Sequence, residues 1–201
     1  MALLPHLGYA LAWASFGLGH SALAAPAVKA RLVPRLGAGY RAAYNGVAVL
    51  HLALVWLAGR WLFGDLPPLA RPEAVVMLQQ AALLLGVLVF LVALAGYDLG
   101  RLAGTAQLMH RSDGGGLSDD EPLHIRGLHR YVRHPLYAGA YLMLWGGAAD
   151  ERGLALALWA SLYLFVGTVL EERKLLALHG EVYRAYRARV PMLVPWRGRV
   201  R

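Results

Sequence analysis

The chain has 201 residues, of which 58% are hydrophobic and only 16% are charged. Soluble domains usually carry about a quarter charged residues, so this composition excludes an ordinary soluble enzyme and favours a small integral membrane protein. Cysteine is absent, which excludes disulfides, a thiol nucleophile and cysteine metal sites. The net charge of +8 would suggest nucleic-acid binding in a soluble protein. Here the basic residues cluster between and after apolar segments, so we expect membrane topology to explain them and expect no nucleic-acid partner.

Three apolar segments fill the N-terminal half of the chain, at residues 3–25, 42–63 and 74–97. Each is long enough for a helix to cross a bilayer, which takes about 20 residues. No basic stretch precedes the first segment, so we expect a membrane helix there rather than a cleaved signal peptide. A basic loop is predicted between the first two segments, and three prolines break the chain before the third. The first segment has one clear polar pair, His20 and Ser21, and the second segment carries Asn45 and His51.

A long connection follows, and its glycine-rich, acidic part covers residues 111–122. These glycines are not followed by Gly-Lys-Ser/Thr, so the connection is not a phosphate-binding P-loop. A mobile solvated loop is the favoured interpretation, and a lid over a site is the alternative.

Two shorter apolar segments come next, at residues 135–149 and 153–170, and a tight turn separates them. They predict a short helical hairpin. Leu175, Leu178 and Val182 then form one apolar stripe at helical spacing, which indicates an amphipathic C-terminal helix. The predicted fold is an all-α integral membrane protein with about five transmembrane helices in a single domain, residues 1–201. Residues 1–97 would hold three membrane-spanning helices, and residues 98–201 the loop, the hairpin and the C-terminal helix.

Charge asymmetry predicts the orientation in the membrane. Of the 20 lysines and arginines, only Arg60, Arg71 and Arg152 fall on one side of the five predicted segments, and the other 17 fall on the opposite side. By the positive-inside rule, the N-terminus lies outside and the C-terminus in the cytoplasm of a bacterial-type inner membrane.

Charged residues stand where the last two apolar segments begin and end. Arg130, Arg133 and His134 precede the fourth segment, and Glu171 and Glu172 follow the fifth. The hairpin places both groups on the cytoplasmic side, which favours a pocket for a zwitterionic ligand: the cations would bind a carboxylate and a glutamate would bind an ammonium group. Two alternatives stay open. Arg133 could form a structural salt bridge with a glutamate, or the arginines could anchor a helix end to lipid headgroups.

Several motifs resemble the isoprenylcysteine carboxyl methyltransferase family and its bacterial relatives, a superfamily that includes phospholipid methyltransferases. They are RHPLYAG at residues 133–139, the glutamate pair at residues 171–172, and HGEVYRAY at residues 179–186. The resemblance covers roughly the C-terminal 75 residues. The His20–Ser21 pair and the YRAAYN stretch at residues 40–45 look more like the methanethiol S-methyltransferase-like branch.

The resemblance implies an S-adenosylmethionine-dependent membrane methyltransferase, which releases S-adenosylhomocysteine and acts on a small lipophilic acceptor entering from the lipid bilayer. A thiol is the first choice of acceptor and a prenylcysteine-type carboxylate the second. It implies that Arg133 and Glu172 are catalytic. The implied cofactor-binding residues are Gly127, Leu128, His129, Tyr131, His134, Pro135, Tyr137, Glu171, Glu172 and Tyr183. As an expectation from their polarity in membrane segments, the acceptor-lining residues are His20, Ser21, Asn45 and His51.

Two other classes of function stay in view. A non-catalytic membrane protein could use the basic cytoplasmic mouth to bind anionic lipid or a partner protein. A haem protein could use His20 and His51 as ligands, although single polar residues in membrane helices more often hydrogen-bond across helices. No metal is expected.

Overall fold

The computed structural model describes residues 3–109, 123 and 125–197, and within these ranges all regular structure is helical. Gly37–Gly39 and Gly127–Arg130 form 3₁₀ turns. The α-helices are α1 (Leu3–Ala24), α2 (Pro26–Leu36), α3 (Tyr40–Phe63), α4 (Glu73–Leu94), α5 (Leu99–Ala103), α6 (Thr105–Met109), α7 (Pro135–Gly146) and α8 (Glu151–Arg189).

Three helical stretches of the described chain are long and apolar enough to cross a membrane by length and composition: Pro26–Phe63, Glu73–Leu94 and Glu151–Arg189. The prediction of an all-α membrane protein is therefore confirmed, while the number of five membrane-spanning helices stays a prediction. The helix α7 has 12 residues, so at about 1.5 Å per residue it is too short to cross the hydrocarbon core alone.

The chain divides into two compact units. The first unit contains residues 3–65 and 97–109 among those described. Its core lies between α1 and α3, where the buried rings of Tyr9 and Phe63 meet edge to face with centroids 5.7 Å apart. Gly59 allows this contact, because a Cβ atom there would lie 2.9 Å from the Tyr9 ring. The glycine thus lets an aromatic side chain of α1 lie against the backbone of α3.

The second unit contains residues 66–96, 123 and 125–197 among those described, and its closest helix pair is α4 and α7. Glycines on both helices bring the two backbones together. A Cβ atom on Gly86 would lie 2.7 Å from the Met143 nitrogen, and one on Gly139 would lie 2.8 Å from the Phe90 nitrogen. Small residues allow such close approach in membrane helices, where dispersion contacts hold the helices together.

Polar side chains close one end of the α4–α7 pair. The Gln79 amide on α4 donates to the carbonyl oxygens of Trp145 and Ala148, each at 3.1 Å. Arg71 also donates to the Ala148 carbonyl, at 3.3 Å, and to Gln79. Because the last carbonyls of a helix have no partner within it, these donors satisfy the C-terminal end of α7.

The structure corrects three expectations about the connections. The predicted basic loop after the first segment is helix α2, which begins at Pro26, a position where a missing N–H group costs nothing. The fifth apolar segment continues as helix without a break to residue 179, and the non-helical Gly180 (φ 53°) separates this part of α8 from the part that ends at Arg189. The predicted turn at residues 150–153 is instead the start of α8. The predicted loop at residues 111–122 lies outside the described residues.

Asp150 caps the N-terminus of α8. Its Oδ1 atom accepts a hydrogen bond from the Gly153 nitrogen at 2.6 Å. We expect Asp150→Ala to lower the free energy of unfolding by about 1 kcal/mol, because a helix N–H group loses its acceptor. Asp150→Asn is the matched control, since its side-chain oxygen caps equally well. Melting curves of the detergent-purified protein compare them, and equal melting temperatures would contradict the capping role.

Candidate active site

The candidate site forms where α7 begins, in the second unit. Residues 127–130 make a 3₁₀ turn that starts at Gly127 (φ 58°). His134 is at the N-cap position of α7, without a side-chain capping bond, and Pro135 begins the helix. The Arg133 nitrogen donates to the Pro191 carbonyl at 2.9 Å, and the His134 nitrogen donates to the Met192 carbonyl at 3.1 Å. The segment after α8 therefore forms one wall of the site.

A buried ion pair joins Arg133 to Glu172. The Nε and Nη2 atoms of Arg133 lie 2.6 and 2.5 Å from Glu172 Oε1, and the two side chains are only 7% and 6% exposed. Arg133 Nη1 donates to the carbonyl oxygens of Val190 and, at 3.2 Å, Arg187. One guanidinium thus holds both the carboxylate and the C-terminal end of α8, which is the salt bridge that the sequence left open as an alternative.

Glu172 is ionised despite its burial. Burial alone would raise its pKa, but hydrogen bonds with His134 and Arg133 and the charge of Arg133 outweigh this effect and lower the pKa. His134 Nε2 lies 3.3 Å from Oε1, and Arg187 Nε lies 3.7 Å from Oε2. The hydrogen bonds converge on Oε1, and the 6% exposure of the side chain limits the access of a ligand to Glu172.

Glu171 is placed differently from its neighbour. Its side chain is 43% exposed, and its Oε2 atom accepts a hydrogen bond from the Tyr137 hydroxyl at 2.9 Å. The Tyr137 ring stacks on His134, with centroids 5.6 Å apart and planes 10° apart. His134 Nδ1 lies 3.9 Å from the same carboxylate oxygen. Glu171 is therefore an oriented carboxylate that a cationic ligand can reach.

Tyr183 supplies a buried polar atom beside the ion pair. The residue is 1% exposed, and its hydroxyl finds no acceptor in the part of the chain that the structure describes, while Arg133 lies beside it as a donor. Burial and the charges of Glu172 and Glu171 raise the pKa of Tyr183 to about 12, against the opposing effect of Arg133. At neutral pH the phenol keeps its proton, so its hydroxyl can donate a hydrogen bond to a ligand atom.

A groove of about 630 Å³ lies between the 3₁₀ turn and the end of α8. Gly127 and Arg130 line one wall, and Tyr186 and Val190 line the other. The Tyr186 hydroxyl crosses to the turn and donates to the His129 carbonyl at 2.6 Å. The volume is within the range of small-molecule sites, about 300–1,000 Å³.

The structure brings seven of the predicted residues into one cluster. They come from the start of α7 and from α8: Arg133, His134, Pro135, Tyr137, Glu171, Glu172 and Tyr183. The other four belong to the 3₁₀ turn or directly follow it: Gly127, Leu128, His129 and Tyr131. The Leu128 carbonyl accepts from the Tyr131 nitrogen at 3.0 Å within this turn, and the His129 carbonyl accepts from the Tyr186 hydroxyl of α8.

The predicted acceptor-lining residues lie in the first unit. His20 Nε2 and the Tyr44 hydroxyl are 2.5 Å apart, and His51 Nε2 and the Ser15 hydroxyl are 3.1 Å apart. The Asn45 amide donates to the Leu102 carbonyl at 2.8 Å, and Ser21 is exposed. Both imidazoles use Nε2 in contacts between side chains, so haem ligation through Nε2 would break these contacts.

The sequence missed the contribution of the segment after α8. Carbonyl groups of Val190, Pro191 and Met192 accept hydrogen bonds from Arg133 and His134. Backbone carbonyl acceptors cannot be predicted from residue types. The one relevant signal in the sequence was Pro191, which predicts the end of the helix just before this segment. In the described residues, no group of three or more His, Asp or Glu side chains is arranged to hold a metal ion.

Fold and site together define an all-α membrane protein with an oriented carboxylate where its last apolar segment ends. A family model described as NnrU protein matches residues 9–167. The chain belongs to the NnrU family. The match ends before Glu171, so the glutamate pair lies beyond the matched residues.

Curated relatives narrow the branch of the family. Methanethiol S-methyltransferase 2 of Bradyrhizobium diazoefficiens is 34% identical over 193 residues, which cover 90% of this chain and 69% of that protein. Methanethiol S-methyltransferase 1 of the same organism is 45% identical over 71 residues, and the Crocosphaera subtropica methanethiol S-methyltransferase is 43% identical over 72 residues. These two alignments span only 25% and 28% of the relatives' own length. The chain is thus placed in a methanethiol S-methyltransferase-like branch of membrane methyltransferases. No solved structure matches it.

Proposed function

We propose that this protein is an S-adenosylmethionine-dependent membrane methyltransferase whose cofactor site is built around Glu171. The observation that carries the proposal is the different placement of the two adjacent glutamates. Glu172 is buried and paired with Arg133, while Glu171 is oriented by Tyr137 and accessible. The names of the relatives support methyl transfer as the class of reaction.

The charge pattern fits the proposed cofactor. S-Adenosylmethionine carries an ammonium group, a carboxylate and a sulfonium, so it is a cation overall. Glu171 would bind the ammonium group through charge-assisted hydrogen bonds. The buried hydroxyl of Tyr183 is a neutral donor suited to a polar ligand atom, and the turn at residues 127–130 offers backbone groups.

The residues of this chain act by holding and orienting. When bound, the cofactor would supply a methyl group already activated by its sulfonium, so the protein needs no strong nucleophile of its own. Arg133 and Glu172 keep the start of α7 and the end of α8 in register, and His134 and Tyr137 orient Glu171. Correct positioning of the two reactants can itself remove about 7–11 kcal/mol of the barrier.

The proposed acceptor is a small lipophilic molecule that enters from the bilayer, a thiol first and a prenylcysteine-type carboxylate second. In either case the acceptor sulfur or oxygen forms the new bond to the methyl group, and the methyl–sulfonium bond breaks. A thiol releases its proton in the process. We keep His20, Ser21, Asn45 and His51 as proposed acceptor-lining residues.

The proposed orientation follows from the distribution of basic residues. The site would face the cytoplasm, with the N-terminus outside. Glu171 and the residues after it carry most of the charge of the second unit, which agrees with an exit from the membrane at Leu170.

Titration with S-adenosylhomocysteine tests the proposal. We expect Glu171→Gln to weaken its binding about 10- to 100-fold in calorimetry of the detergent-purified protein, because a hydrogen bond to a charged group contributes about 1.5–3 kcal/mol. The melting temperature should stay unchanged, since Glu171 is half-exposed. Glu181→Gln is the matched control, an exposed glutamate of the same helix that pairs with Arg184.

Two results would contradict the proposal. If the folded wild-type protein bound no S-adenosylhomocysteine, the methyltransferase proposal would be replaced by the alternative of a non-catalytic membrane protein that binds anionic lipid or a partner protein. If Glu171→Gln bound as tightly as Glu181→Gln does, the ammonium would have to be assigned elsewhere. If the wild type binds S-adenosylhomocysteine, thiols and prenylcysteine-type carboxylates would be tested with it as methyl acceptors.

A further inference from the structure

Arg187 lies at the edge of the candidate site with a guanidinium group that a ligand can reach. Its Nε atom is 3.7 Å from Glu172 Oε2, and its side chain is 52% exposed. The Arg187 carbonyl accepts a hydrogen bond from Arg133 Nη1 at 3.2 Å, so the backbone that carries this side chain is held against the buried ion pair. A separation of 3.7 Å is longer than a hydrogen bond, so this contact leaves the N–H donors of the guanidinium to another acceptor.

Two other nitrogen-bearing side chains contact Glu172, but both are buried. Arg133 directs Nε and Nη2 at Glu172 and Nη1 at two backbone carbonyls, and its side chain is 7% exposed. The His134 side chain is 5% exposed. Among the three side chains that contact this carboxylate, Arg187 is therefore the one whose charge a ligand can approach.

The accessible charges match the amino-acid end of the proposed cofactor. That end carries an ammonium group and a carboxylate on one carbon atom. Glu171 is the accessible anion, and Arg187 is an accessible cation at the neighbouring glutamate. A guanidinium can bind a carboxylate through two parallel hydrogen bonds.

We propose that Arg187 binds the carboxylate of S-adenosylmethionine and of S-adenosylhomocysteine. This residue would then select S-adenosyl amino acids over adenosine derivatives that carry only the ammonium group. The inference rests on the proposed function, because it assumes that Glu171 binds the ammonium group of the same ligand.

Two ligands that differ only in the carboxylate test this role. S-Adenosylhomocysteine is compared with its decarboxylated analogue, which keeps the ammonium group, by calorimetry of the full detergent-purified chain. Arg187→Gln should weaken the binding of S-adenosylhomocysteine about tenfold, the lower end for loss of a hydrogen bond to a charged group, because the side chain is half-exposed. Binding of the decarboxylated analogue should stay unchanged. Glu171→Gln should weaken both ligands, since both carry the ammonium group.

Arg184→Gln is the matched control. It removes the same charge from an exposed arginine of the same helix that pairs with Glu181, and it should change the binding of neither ligand. Arg187→Lys keeps the charge but not the paired donors, so it should recover part of the loss for S-adenosylhomocysteine alone.

The ligand pair separates carboxylate binding from a structural role of Arg187. Equal weakening of both ligands by Arg187→Gln would show that the arginine acts only through Glu172, and the inference would be wrong. If the wild type bound S-adenosylhomocysteine and Arg187→Gln weakened neither ligand, the inference alone would fail and the methyltransferase proposal would stand. If the wild type bound neither ligand, the proposed function would fail, and this inference would fail with it.

Discussion

Arg133→Gln should lower the free energy of unfolding by about 3–5 kcal/mol, the usual effect of removing one partner from a buried ion pair. For a chain of this length, that corresponds to a fall of roughly 10 °C in melting temperature. The reason is that Glu172 would remain buried without its principal donor, and the Val190 and Arg187 carbonyls would lose theirs. The side chain is 7% exposed, so water cannot easily replace the lost contacts.

Tryptophan fluorescence during heating of the detergent-purified protein measures this effect. Arg184→Gln is the control, because that arginine pairs with Glu181 at the surface, where ion pairs contribute only about 0–1 kcal/mol. A fall in melting temperature no larger than that of the control would show that the Arg133–Glu172 pair does not hold the fold together.

The pH dependence of stability gives a second measurement on the same pair. The folded pKa of Glu172 is lowered from its ordinary 4.5, so its contribution is present above about pH 4.5 and is lost as the pH falls through the lower folded value. The wild type should therefore lose stability in acid more steeply than Glu172→Gln, which has no carboxyl group at this position to protonate. Parallel acid profiles would contradict the assignment.

Gly146→Ala should destabilise the second unit by about 1–3 kcal/mol or more, as overpacking of a close contact does. An added Cβ atom would lie 2.5 Å from the Leu83 nitrogen and 2.7 Å from the Gln79 carbonyl oxygen. Both are backbone atoms of α4, so no change of side-chain rotamer can relieve the contact. The two helices must move apart, and the dispersion contacts along them weaken.

Gly167→Ala is the control for this prediction. Gly167 lies within α8 with nothing within 4 Å of a Cβ atom, so alanine there should stabilise the helix by about 0.5–1 kcal/mol. Opposite shifts of melting temperature in the two variants would support the close packing of α4 on α7. A stabilising effect of Gly146→Ala would show that the two backbones are not in contact there.

The buried ion pair also explains why two adjacent glutamates have different surroundings. Successive residues of a helix are about 100° apart around its axis, since each turn takes 3.6 residues. Glu172 faces Arg133, and Glu171 therefore faces Tyr137 at the edge of the same cluster. Under the proposed function, Arg133 is then a positioning residue that acts through this helix orientation.

The sequence by itself determined the apolar helices and the neighbourhood of the site. Continuous apolarity predicted the ends of α1, α3, α4 and α7 and the start of α8 to within three residues, because uncharged stretches are typical of helices in a bilayer. Charges at the ends of the last two apolar segments correctly indicated that Arg133, His134 and the glutamates meet, since a short hairpin leaves few other arrangements.

Only the tertiary structure decided which glutamate is buried, which helix packs closest to α7, and what Arg133 holds. Gly86 and Gly139 look like any small residues in apolar segments, and their contact depends on how two helices distant in sequence are rotated towards each other. The carbonyls after α8 depend on the path of the backbone. Helix rotation and backbone path are set by the sum of many weak packing contacts, so neither can be predicted from individual residues.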